Sequence, residues 1–96
     1  MTAQLILFRN LVEQCILQNT NYAGHGVGTT EKTDSWRECS ARCNRDAKCF
    51  AWSYVTKNHP TVNYHRNCHL KDSTYHERKT ASEGVLSGAK GCGMGK

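Results

Sequence analysis

Six cysteines in a chain of 96 residues constrain this sequence more than any other feature. A domain of this size with a thin apolar content is short of buried surface, and cross-links or bound metal make up the difference. An even cysteine count points to a disulfide framework. Such a framework persists where thiols are not kept reduced: outside the cell, in the secretory lumen or in a periplasm. The competing reading is a tetrahedral zinc set of Cys39, Cys43, Cys68 and His69. It fits poorly, because structural zinc is usually held by paired knuckles, and here one C-x3-C lies on a helix with no second knuckle after it. If all six cysteines pair, no thiol remains for nucleophilic chemistry.

The hydrophobic fraction of 38% with 22% charged residues is that of a globular chain, and its length allows one core. We expect a single domain over residues 1–96, with its core bounded by Cys15 and Cys92. The longest apolar run, Leu5-Ile6-Leu7-Phe8, falls short of the roughly 18 residues of a membrane span and of the about 7 of a secretory leader. The chain therefore reads as a mature segment, or as one of several tandem modules of a longer secreted or surface protein, with no membrane insertion. Thirteen Lys and Arg against eight Asp and Glu give a net charge of +5, which favours acidic partners. Nucleic acid is a poor fit, since no nucleic-acid motif accompanies the charge. No G-x-S-x-G, H-E-x-x-H or Walker-type loop is present, so we expect a non-catalytic module without a cofactor or metal.

Along the chain, residues 5–17 suit a strand leading into Cys15, and residues 19–33, rich in Asn, Gly and Thr, read as loop. Gly24-His25-Gly26-Val27-Gly28 lacks the helix and lysine of a phosphate loop and reads as a turn. Ser35-Trp36-Arg37-Glu38 carries a capping box and opens a helix that should end near Asp46. Trp36, Cys39 and Cys43 share one face of it. From Cys49 the period changes to two, and Phe50, Trp52 and Tyr54 form the aromatic face of a strand. Residues 57–66 are a polar, basic loop. In residues 67–71 a second strand points Cys68 and Leu70 inward and Asn67, His69 and Lys71 outward. Residues 72–83 are polar again, and residues 84–88 form a closing strand.

These residues resemble the PAN/apple family of extracellular modules, which includes the apple domains of apicomplexan microneme adhesins. The resemblance rests on Ser35 to Cys43 as the family helix, Cys49-Phe50-Ala51-Trp52-Ser53-Tyr54 as the central strand, Cys68-His69-Leu70-Lys71 as the next strand, and the late Ser87-Gly88. It implies an α+β fold, a twisted antiparallel sheet of about five strands cradling one helix. It further implies three disulfides pairing Cys15 with Cys92, Cys39 with Cys68 and Cys43 with Cys49. The six-cysteine pattern leans toward the apple and microneme types.

The function to expect from the resemblance is that of a microneme-like adhesion module, secreted or at the cell surface. Its partner is a cell-surface glycan or an extracellular protein receptor. Tyr64 and Tyr75 sit in polar segments where a ring has little reason to be buried. With His65, His69, Lys71, Asp72 and His76 they supply what a sugar site needs, an aromatic plate beside donors and acceptors. Some microneme apple domains are galactose-binding lectins, so the resemblance favours a galactose-type sugar. The alternatives are a protein–protein apple module, or a heparin-like glycosaminoglycan binder using Lys57, Arg66, Arg78 and Lys79 with Lys71.

Overall fold

The computed structural model describes residues 15–92. Five strands form one antiparallel sheet: β1 (Leu17–Tyr22), β2 (Glu31–Lys32), β3 (Ala51–Val55), β4 (Asn67–Lys71) and β5 (Lys79–Ala89), with helix α1 (Trp36–Asn44) between β2 and β3. The order across the sheet is β1-β5-β3-β4-β2. Much of the expected strand at residues 5–17 lies outside the described residues.

Helix α1 begins where the capping box predicts. Ser35 Oγ accepts from the Glu38 amide at 3.2 Å, while the Glu38 carboxylate accepts from the Asp34 amide, one residue earlier than the usual reciprocal partner. Trp36 stacks on Trp52 of β3 with centroids 5.8 Å apart and planes 9° from parallel. Around this stack Cys39, Cys43, Cys49, Tyr54, Cys68, Leu70 and Cys92 are buried in one cluster. Gly88 pairs with Trp52 across the β3–β5 ladder. A Cβ there would come within 2.7 Å of the indole, so only glycine lets the sheet lie flat beneath the ring.

All six cysteines are bridged: Cys15–Cys92, Cys39–Cys68 and Cys43–Cys49. The first joins the two ends of the described chain, and the other two tie α1 to β4 and to the mouth of β3.

Three expectations need correction. Phe50 is not part of the aromatic face: it precedes β3 and is 47% exposed. Residues 19–33 are not all loop, because β1 runs to Tyr22, with Asn19 in the left-handed region at a bulge. The closing strand is longer than residues 84–88, because β5 starts at Lys79 within a stretch that composition marks as loop. Polar strands of this kind carry little periodic signal; tertiary pairing makes them strands.

The bulge has a further consequence. Residues 82–85 of β5 stand opposite Asn19 alone, and Gly84, with φ +81°, turns the strand there. Beyond the bulge Thr20, Asn21 and Tyr22 stay paired with Ala81, Thr80 and Lys79 of β5, and this stretch, continuing to Gly26, lies over the sheet face opposite α1 as a strap. The sheet's side chains hold it at three points. Ser87 Oγ donates to the Thr20 carbonyl at 2.8 Å. The Tyr22 amide donates to Ser53 Oγ at 3.2 Å, and Lys71 Nζ donates to the Gly24 carbonyl at 3.0 Å. The strap then runs beside the end of β4, where the Val27 amide donates to the Leu70 carbonyl and the Asp72 amide to that of His25.

Candidate functional site

A cleft of about 240 Å³ opens between the strap and the sheet. Val55, His69 and Lys71 line it from β3 and β4, Asn21 from the strap, Ser82 and Val85 from β5, and His59 and Tyr64 from the loop after β3. Alternation along the strands explains the set. Trp52, Tyr54 and Leu70 turn to α1, so Ser53, Val55, His69 and Lys71 turn the other way. The strap covers that face, so Lys71 is buried at 6% exposure rather than pointing into solvent as its place in the strand suggests.

Polar groups in the cleft are positioned individually. The His69 ring is fixed by a 3.0 Å hydrogen bond between Nδ1 and Thr30 Oγ1, which leaves Nε2 for a ligand. Burial and the charge on Lys71 hold its pKa below the ordinary value, so the ring is neutral at physiological pH. Burial also pushes the Lys71 pKa down. Tyr64 stands in the short 3-10 turn Val62–Tyr64, 53% exposed, with its ring tilted against His59 at 5.6 Å.

Of the residues expected to form a sugar site, Tyr64, His69 and Lys71 line this cleft. His65 does not line it: its Nε2 bonds the His59 carbonyl and braces the loop that carries Tyr64. Asp72 lines a separate groove with Val27, Lys48 and Phe50. Its Oδ1 accepts from both the amide and the hydroxyl of Thr74, and these bonds hold its carboxyl below the usual range. Tyr75 packs edge-on against buried Tyr22 at 4.8 Å and against His76 at 5.4 Å.

The basic candidates are divided. Arg66 sits beside the Val55 end of β3 and pairs with Asp34 at 2.8 Å, and Lys57 lies just past that end. Arg78 and Lys79 sit beside Ala23 and Tyr22 on the strap. Asn21, Ser82, His59, Val55 and Val85 carry no site signal in the sequence, because only the strap and the β5 bulge bring them together. Among the described residues no group of three His, Cys, Asp or Glu side chains is placed to hold a metal ion.

The fold and cleft define a small disulfide-stapled binding module. A family model described as the PAN domain matches residues 20–71, and the chain belongs to that family. Among solved structures it is similar to the two N-terminal apple domains of Toxoplasma gondii microneme protein 4, at 28% identity and a TM-score of 0.61. The match covers 77% of this chain and 43% of that one, so the chain spans less than half of the relative. No curated protein matches.

Proposed function

We propose that this module is a non-catalytic extracellular adhesion domain that binds the terminal sugar of a cell-surface glycan, of galactose type, in the cleft beneath the strap. The observation that carries the reading is the composition of that cleft: an exposed aromatic plate, Tyr64, at the mouth, with His69, Lys71, Asn21 and Ser82 as donors and acceptors within. A pyranose offers apolar C–H faces and a fan of hydroxyls, which this pairing of ring and polar groups complements. At about 240 Å³ the cleft is smaller than the roughly 300–1,000 Å³ of drug-sized sites, which suits a single sugar unit. Similarity to apple domains of a microneme protein supports a secreted or cell-surface setting, and the paired domains of that relative support use as one of several tandem modules. Weak single-site binding gains avidity when modules are linked.

A glycan array with the folded domain tests the proposal. Binding of galactose-terminated glycans that Tyr64→Ala abolishes, with an unchanged unfolding midpoint, supports it. An array with no bound sugar, or retention only on sulfated polymers through the outer surface, overturns it in favour of a protein receptor or a glycosaminoglycan.

A further inference from the structure

We propose that the cleft recognises an acidic sugar, whose oxyanion substituent, a carboxylate or a sulfate ester, is seated on Lys71. This rests on the reading of the cleft as a sugar site. Lys71 is 6% exposed and its side chain lines the cleft. Its ammonium carries three donors, and one of them reaches the Gly24 carbonyl at 3.0 Å. No Asp or Glu among the described residues forms an ion pair with it. The carboxylate next in sequence, Asp72, is turned onto Thr74.

A buried, unpaired charge is costly: burial pushes the Lys71 pKa down, and an oxyanion beside the ammonium would offset that cost. Among the described residues no carboxylate pairs it. The neighbouring groups suit an anion as well. His69, held neutral, adds a hydrogen-bonding nitrogen without adding an acid to compete, and Asn21 and Ser82 provide uncharged polar contacts. An oxyanion seated there would complete the ammonium's hydrogen bonds in a low-dielectric site, where a charge-assisted bond is stronger than a neutral one. A neutral hydroxyl accepts from Lys71 but leaves the charge unpaired.

The test uses three ligands on one ring: methyl galactoside, galacturonate and galactose 6-sulfate, titrated by calorimetry or ligand-observed NMR. The expected result is that at least one charged ligand binds about tenfold or more tightly than the neutral one. Preference for galacturonate or for the sulfate assigns the carboxylate or the sulfate ester. In Lys71→Gln, which keeps a donor near Gly24 but no charge, the charged and neutral ligands should bind alike. That outcome would not follow if Lys71 only anchored the strap. The wild-type comparison stands by itself if the variant does not fold. Equal binding of all three ligands overturns the acidic-sugar inference and leaves the sugar site standing, whereas binding of none overturns both.

Discussion

Ser53 and Ser87, on neighbouring strands, share a hydrogen bond of 2.6 Å between their hydroxyls, and both are fully buried. Each also reaches the strap, Ser53 as acceptor for the Tyr22 amide and Ser87 as donor to the Thr20 carbonyl. The pair is the centre of a polar seam that fastens a crossing segment to the sheet face opposite the helix. Buried hydroxyls of this kind are stable only when satisfied.

Removing either hydroxyl should therefore cost more than the loss of an average hydrogen bond, because a backbone partner is left buried and unpaired. Ser87→Ala and Ser53→Ala are each expected to lower stability by about 1 to 3 kcal/mol. The double variant should lose less than the sum, since both changes break the one shared bond. Urea midpoints of the four proteins measure this, and strict additivity would show that the two hydroxyls act separately.

That seam marks the limit of what the sequence discloses. The helix start at Ser35, the Trp36–Trp52 stack and the alternation through Trp52 and Tyr54 are legible because each rests on local spacing: a cap, a helical face, a period of two. His69 and Lys71 obey the same alternation and read as outward for that reason, and Ser53 and Ser87 share their face. Their burial depends on residues 20–26 lying across the sheet, a long-range event set by the bulge at Asn19 and the turn at Gly84. No local pattern announces it. Polar neighbours in sequence single out Asp72 and Tyr75 as sugar-site candidates and pass over Asn21 and Ser82, which only the folded chain brings to the cleft.

Gly84 makes that turn possible. Its φ of +81° lies in the left-handed region, and a Cβ there would stand 2.3 Å from the backbone nitrogen of His59. Gly28, at φ +66°, has nothing within 4 Å of the same position. Gly28→Ala should cost about 1 kcal/mol for backbone conformation alone. Gly84→Ala should cost about 2 to 4 kcal/mol, because the 58–59 loop must also move. Thermal midpoints of the two variants compare the costs directly; equal losses would mean that the loop yields freely.

The three bridges should differ in their response to reductant. Cys15 is exposed, whereas Cys39, Cys43, Cys49 and Cys68 are fully buried, and thiol exchange requires access to sulfur. Mild reductant under native conditions should open Cys15–Cys92 first, seen as two alkylated cysteines by mass spectrometry while the other four stay protected. Because that bridge spans 77 residues, its loss is expected to lower stability by about 4 to 5 kcal/mol in the loop-entropy model. Simultaneous labelling of all six would contradict the ordering.

Acid should weaken the fold partly through His69. Burial, reinforced by the charge on Lys71, holds its pKa below the ordinary 6.5, so the unfolded chain binds this proton more readily than the folded one. Linkage then fixes the sign: stability from this group is full above about pH 6.5 and is lost as pH falls from there through the folded value. Asp72, also depressed, acts in a separate window below its ordinary 3.8. Its stabilising share is present above that pH and is lost as the carboxylate takes up its proton. Replacing His69 with Asn, which can keep a partner for Thr30, should flatten the loss of stability between pH 7.5 and 5 while leaving the steeper acid limb unchanged. Denaturant midpoints at half-unit steps across that range measure it. An identical slope in the variant would show that His69 takes up its proton equally well in the folded and unfolded chains.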